Sequence, residues 1–434
     1  MNGRLRPNRL PGEFVKQSKN GCVTLRLSGQ DEQASYPVCG PGTSIQGRVD
    51  LYKTEGVTSV EVQVMLIRRA PWIEGVLKLE QVAGSGTTTY KLCSYKNILW
   101  VKDRLRNSPC PNSLRFSLLL PTTFSDGEKT FPLPPSYEAH LSGLPGFRAY
   151  IHYALTALVV KPDDVPNIVK SAFLRKDDWA IVTPVLYRPR SRPPSAIPPP
   201  LVTHPLHGLN ETVQWKVTTS TILANRCGQD VTVKVWNPPN VFICALRHSV
   251  SSQLHLPTTR VFCVQLPIPF YLSFHASSTT LASFRPLAPF TCPFVRKKQI
   301  TRIQLMRQTT VDICNALIFG TKSDMWTVDC IGEAAFKYIG EGSDWLAYSG
   351  EVFIADHIIL GGFRAGGFSV RDCLVLTVTP TDLTKSPFKE MRTVVPVQFA
   401  TDRWIGDGSG LTLHGNGLEK VSDELDFVSE LPCQ

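Results

Sequence analysis

The chain has 434 residues, with 46 Lys+Arg against 36 Asp+Glu, a formal net charge of +10, and 42% hydrophobic residues. This is the composition of a globular chain able to bury a core, and by length it holds roughly two or three domains. Leu, Val, Ile and Phe recur from residue 22 to residue 400, which excludes a fully disordered chain. No stretch approaches the ~18 consecutive apolar residues that a membrane-spanning helix needs.

Residues 1–20 carry Arg4, Arg6, Arg9, Lys16 and Lys19 without an apolar run behind them. That pattern argues against a secretory leader and predicts a basic, disordered arm. A strand-rich block follows over residues 21–187. Val23-Thr24-Leu25-Arg26-Leu27 and residues 60–66 alternate with period two, and residues 115–120 and 151–159 are further strands. Pro109 and Pro111 break the chain before Leu114, and Pro121 ends the strand after it. A weak helical pattern covers residues 165–175.

Composition then shifts. Residues 188–212 open with a proline-dense run, including three consecutive prolines at 198–200, and read as a semi-rigid hinge that cannot enter a central strand. A second strand-rich block spans residues 213–404. Its predicted strands lie at 213–217, 231–236, 261–266, 270–275, 300–306, 326–331, 350–354, 374–378 and 394–399. Strands at this density, with turns between them, argue for two β-sandwiches rather than βαβ units. Residues 405–434 form an acidic tail in which Leu418, Val421, Leu425, Val428 and Leu431 recur at three- and four-residue steps. An isolated helix of that length is marginal in water and needs a docking surface.

Charge is uneven. Residues 1–200 hold 26 basic and 16 acidic residues, a net of +10, and residues 201–434 hold 20 of each. The basic half suits anionic lipid or acidic and phosphorylated peptide. Its dispersed cations lack any nucleic-acid-binding pattern, so no nucleic acid partner is expected. The twelve cysteines show no CxxC pair, and most sit in apolar runs, which reads as reduced core thiols with no metal ligand set. No nucleophile elbow, P-loop or Rossmann glycine pattern is present. The expectation is a non-enzyme without cofactor or metal, and His152 and His275 read as packed strand residues.

Several segments resemble the arrestin family, nearest to fungal alpha-arrestin-like proteins. Pro41-Gly42 followed by Gly47-Arg48-Val49 is similar to the Pro-Gly turn and Gly-x-Val strand of arrestin amino-terminal domains. The runs Phe116–Pro121, Leu133-Pro134-Pro135-Ser136-Tyr137 and Tyr150–Leu155 resemble the strands and Leu-Pro-x-Ser-Phe loop that follow. In the second block Pro269–Phe274, residues 300–313, Gly361-Gly362-Phe363 and residues 372–378 resemble carboxy-terminal strands. The resemblance covers about residues 21–400. It implies an all-β fold of two immunoglobulin-like arrestin β-sandwiches joined by a Pro-rich hinge.

It also implies a cytosolic adaptor, recruited peripherally to the plasma membrane or endosomes. Such an adaptor binds the tails of membrane transporters or receptors and links them, directly or indirectly, to a HECT-type ubiquitin ligase for endocytosis. The alternatives are a retromer-like or other trafficking scaffold with no ubiquitin role and, more remotely, a small-molecule enzyme. Family PPxY motifs usually lie after the second sandwich, and here the single match is Pro134-Pro135-Ser136-Tyr137. A WW groove takes such a turn, but the resemblance places Tyr137 where the family has a packed Phe, so a structural role is favoured. A second candidate is Ser191, flanked by Arg188, Arg190 and Arg192, as a phospho-switch that would stiffen the hinge. Arg68, Arg69, Arg104 and Arg106 are candidate cargo or lipid contacts. The acidic tail is a candidate to dock on the basic half.

Overall fold

The computed structural model describes residues 11–31, 34–64, 75–81, 87–103, 108–126, 129–142, 146–160, 179–204, 208–210, 212–224, 249–281, 284, 301–314, 322–379 and 388–406. These residues form an all-β fold on two large curled sheets, consistent with two β-sandwich domains, with one helical turn among them.

The first half contains β1 (Glu13–Gln17), β2 (Val23–Ser28), β3 (Val38–Cys39), β4 (Ser44–Leu51), β5 (Ser59–Val64), β6 (Gly75–Gln81) and β7 (Thr87–Cys93). It continues through β8 (Tyr95–Val101), β9 (Ser113–Leu119), β10 (Thr123–Asp126), β11 (Lys129–Pro132), β12 (Tyr137–Leu141), β13 (Phe147–Val160) and β14 (Ala180–Tyr187). A four-stranded sheet, β1-β2-β4-β9, faces an eight-stranded one, β3-β14-β13-β5-β8, to which β12, β6 and β7 add.

Strand β13 organises that second sheet. Its first part pairs with β12 and β6 and its last part with β5 and β14. Phe147, Ala149, Ile151, Tyr153, Leu155, Ala157 and Val159 all point inward, the period-two pattern of a strand with one buried face. Opposite them Val23, Leu25 and Leu27 of β2 are fully buried. Burial of each such side chain is worth roughly 1.5–3 kcal/mol. Gly47 lets β4 lie close to its neighbours: a Cβ there would sit 2.3 Å from the Arg26 carbonyl and 2.8 Å from the Phe116 ring.

The arm expected over residues 1–20 gives way to structure by Glu13. Strand β1 pairs with β2 in register from Glu13↔Ser28 to Gln17↔Thr24. The hairpin closes through Gly21 at φ +75° and through the Asn20 side chain, which accepts from the Cys22 amide. Lys16 and Lys19 disguised this strand as a basic arm. Lys16 reaches instead across to the Val182 carbonyl at 2.7 Å.

The second half begins with the short hairpin β15 (Thr203–His204) and β16 (Gly208–Leu209), then β17 (Trp215–Ile222), β18 (Val250–Pro257), β19 (Val261–Cys263) and β20 (Ile268–His275). After the helical turn α1 (Ser278–Leu281) come β21 (Thr301–Cys314), β22 (Lys322–Glu341), β23 (Trp345–Ile354), β24 (Phe363–Ala365), β25 (Phe368–Val378) and β26 (Met391–Ala400). They form one sheet in the order β17-β18-β20-β23-β22-β21-β25-β26-β19, with β24 on β25.

The sheet curls until its ends meet. Ser220 of β17 and Thr393 of β26 share a hydroxyl hydrogen bond of 2.6 Å, and Ala224 bridges Phe388. The core inside is aromatic and aliphatic: Phe270, Leu272, Phe274, Ile303, Leu305, Leu374 and Leu376 are all buried. The predicted strand at 213–217 starts at Trp215. The predicted strand at 231–236, the helix at 165–175 and the tail beyond Gly406 lie outside the described residues.

Candidate functional site

The two halves share a core. Val311, Met325, Ala365, Phe368 and Val370, all from the second half, join the cluster that holds Leu79, Phe147 and Tyr153 of the first. The far ends of β21 and β22 and the whole β24–β25 hairpin therefore act as the plug of the first sandwich. The hairpin tip is Gly366-Gly367, with Gly366 at φ +53°, and a Cβ on Gly366 would come within 3.1 Å of the Tyr90 ring. Arg364 beside it lies over the Phe131 ring, 5.7 Å from the centroid.

The Pro134-Pro135-Ser136-Tyr137 motif is built into this seam. Pro134 and Pro135 are buried. The Pro134 carbonyl accepts from the Tyr153 hydroxyl at 2.7 Å, and Ser136 exchanges bonds with Tyr187, its amide donating to the carbonyl and its Oγ accepting from the amide. Tyr137 starts β12 and sends its half-buried ring across to the second half. It meets Phe363 edge-on at 5.1 Å and Phe368 at 6.0 Å, an arrangement that adds to simple burial. Both ring partners lie in the other half, which the sequence did not reveal. Entry of this motif into a WW groove would require the prolines to leave the core and the ring to leave the seam.

Behind Tyr137 stands a buried ion pair. Arg307 of β21 and Asp372 of β25 are register partners, with side-chain exposures of 6% and 1%. Arg307 Nε donates to Asp372 Oδ1 at 2.7 Å, and Nη2 donates both to Asp372 Oδ2 at 3.0 Å and to the Leu360 carbonyl at 2.7 Å. Burial works against the Arg307 charge, but the hydrogen bonds and charge of Asp372 outweigh it and hold the guanidinium above its ordinary pKa. A pair of this kind fixes geometry more than it adds stability. Its residues carry no motif and were missed in the sequence.

The proline-rich segment is an extended strap. Leu201 is buried and its amide donates to the Tyr271 hydroxyl at 3.0 Å, while Trp215 Nε1 donates to the Pro199 carbonyl at 3.1 Å. Leu201, Leu209, Trp215, Trp345 and Ala347 make a small core on the outer face of the second sheet. Upstream, Ser191 is fastened to the end of β26: its amide donates to Thr401 Oγ1 and its carbonyl accepts from the Asp402 amide, both at 2.9 Å. Arg190 pairs with both carboxylate oxygens of Asp402, and these bonds hold Asp402 below its ordinary pKa. The strap is thus held at Arg190, Ser191, Pro199 and Leu201, with Ser191 among its fastened residues. Arg188 is exposed, and Arg192, which follows Ser191, is half-buried.

Where strap and β26 cross, a cleft of about 660 Å³ opens between the halves. Gln30, Cys39 and Thr43 of the first half, Arg188 and Arg190 of the strap, and Leu360 and Asp402 of the second half line it. A second hollow of about 450 Å³ adjoins it, sharing Gln265, Ile359 and Thr401, with Phe353 among its lining residues.

Arg68, Arg69, Arg104 and Arg106 lie outside the described residues. A basic row does appear on the first sheet: Arg26, Arg48 and Arg115 are register partners across β2, β4 and β9. Glu13 and Asp50 take two bonds from Arg26, at 2.9 Å each, while Arg115 is exposed. Period-two reading of those strands would have placed the three on one face. Cys22, Cys39, Cys110, Cys263, Cys330 and Cys373 are free thiols, and burial raises Cys39 and Cys373 to about 12, which makes those two unreactive. His152, too, lies in its strand, its ring 4.9 Å from that of Tyr150. No group of three His, Cys, Asp or Glu is placed to hold a metal among the described residues, and no helix there is long and apolar enough to cross a membrane. Comparison with protein-family models and with curated proteins finds no match for this chain.

Proposed function

We propose that this chain is a non-catalytic, arrestin-like adaptor of two immunoglobulin-like sandwiches. Its cleft and flanking sheet faces engage cytosolic tails of membrane transporters or receptors, and anionic membrane surfaces steer it to them. The observation that carries the reading is the shared seam. The β24–β25 hairpin and the ends of β21 and β22 complete the core of the first half, so both halves present one continuous surface with a cleft at the crossing. Such a body suits recognition of extended segments, with polar groups and apolar walls in one groove. The sequence resemblance over residues 21–400 supports the same reading.

Pro134-Pro135-Ser136-Tyr137 is folded into the seam, which favours a ligase link through a bridging partner, or a trafficking scaffold without one. The test pairs two titrations of the full-length chain, one against a panel of cytosolic transporter and receptor tails and one against isolated WW domains. The expected result is saturable binding of at least one tail and no WW binding, while a free peptide of residues 131–140 does bind WW domains. Failure of every tail, together with unchanged endocytic rates for surface transporters in cells lacking the chain, would sink the adaptor reading. WW binding lost in a still-folded Tyr137→Ala variant would restore the direct ligase route.

A further inference from the structure

We propose that Ser191 is a phosphorylation site for an arginine-directed serine kinase, and that its modification releases the strap from the end of β26. The sequence around it supplies recognition: Arg188 stands three residues before Ser191 and Pro193 two after, in a segment that is neither helix nor strand. The structure supplies the consequence. Ser191 is the hub of a staple between two segments more than two hundred residues apart in the chain. Its amide and carbonyl bond to Thr401 and Asp402, and its Oγ accepts from the Thr401 amide at 3.4 Å. Asp402 Oδ2 accepts from Thr401 Oγ1 at 2.8 Å, and Arg190 Nε donates to the same oxygen at 3.2 Å. One carboxylate and one guanidinium thus close the staple over the serine.

In the kinase, Ser191 Oγ attacks the γ-phosphorus of ATP. The new O–P bond forms as the bond to the β–γ bridging oxygen breaks, ADP leaves, and the hydroxyl proton passes to the kinase base. The product carries close to two negative charges and three acceptor oxygens, placed beside Asp402. Both anions compete for Arg190, and the phosphate, with Arg188 and Arg192 also adjacent, makes the stronger charge-assisted bonds. Arg190 turns from Asp402 to the phosphate. Asp402 is left facing a like charge, and the Thr401–Asp402 end of β26 lifts from the strap. Arg188, Arg190, Thr401 and Asp402 all line the 660 Å³ cleft, so the same event reshapes its wall. This inference stands on the staple alone and holds whether or not the adaptor reading does.

The test uses the purified full-length chain with an arginine-directed serine kinase and Mg-ATP, with site occupancy read by mass spectrometry. Ser191 is expected to take up phosphate, at least about tenfold more slowly in Arg188→Ala, since a charged contact with the kinase is lost. Asp402→Asn keeps the recognition sequence and loosens the staple, so it is expected to be modified several-fold faster than wild type. Phosphorylation of wild type is expected to speed hydrogen exchange at the Thr401 and Asp402 amides by about fivefold or more. A free peptide of residues 186–195 that is modified while the folded chain is not would overturn the proposal. So would equal rates for Asp402→Asn and wild type in chains with matching melting curves, or unchanged exchange at 401 and 402 after full modification.

Discussion

His255 shows how far a single side chain can sit from its ordinary chemistry. It lies on β18 opposite Tyr271, on the face that the proline-rich strap covers, and is fully buried with no hydrogen-bond partner at either ring nitrogen among the described residues. Burial, aided by the nearby His275, lowers its pKa to about 4. The unfolded chain takes up a proton near pH 6.5 and the folded chain does not until about pH 4. Stability from this group is therefore complete above pH 6.5 and lost as pH falls through that window, by at most about 3 kcal/mol. His255→Leu is expected to flatten this part of the profile. Urea midpoints of both proteins at pH 7.5, 5.5 and 4.5 check it, because carboxylates titrate equally in the two. Parallel profiles would show that His255 contributes nothing. Arg307 and Asp372 follow the opposite logic: both are buried, and the hydrogen bonds between them satisfy polar groups that burial alone would strand.

At the scale of elements, the β24–β25 hairpin carries the seam. Its two-glycine tip is dictated by a left-handed backbone at Gly366 and by the Tyr90 ring directly above it. Gly366→Val adds a branched side chain against both constraints and is expected to cost roughly 3 kcal/mol, with Gly366→Asn losing much less. Part of that cost is steric, so the valine is expected to be milder in a Tyr90→Ala background. A denaturant-melt double-mutant cycle measures the coupling, and simple additivity would remove Tyr90 from the account. Elements such as β2, β13, β20 and β25 were legible in the sequence because their apolar residues alternate or run unbroken. Strand β1 was not, because Lys16 lies in it, and β18 was not, because Ser252 and His255 are polar residues that become buried only under other chain segments. Phe363 and Phe368 could not be assigned to Tyr137 from the sequence, since no local pattern joins residues so far apart. The Ser191–Thr401 staple is hidden for the same reason.

For the molecule as a whole, the seam decides what the linker can do. A proline-dense segment between two independent domains would be a joint, whereas here Leu201, Ser191 and Trp215 bind it down and the two cores meet through Phe368, Val311 and Met325. Relative motion of the halves requires apolar surface to be exposed, not only a linker to bend.

That shared core also sets a timetable for synthesis. Tyr187 closes the last strand of the first half, yet Val370, which helps to seal it, is made 183 residues later. At ~5–20 residues per second the first half waits on the ribosome for roughly ten to forty seconds with its plug missing. A chain stopped after Tyr187 is expected to bind a hydrophobic dye and to be digested rapidly, and adding residues 301–378 in trans to restore protection. A truncated chain already resistant to protease would show that the first half closes by itself. Otherwise the nascent first half is a client for chaperones throughout that interval, its exposed apolar face the cost of building one sandwich with pieces of the next.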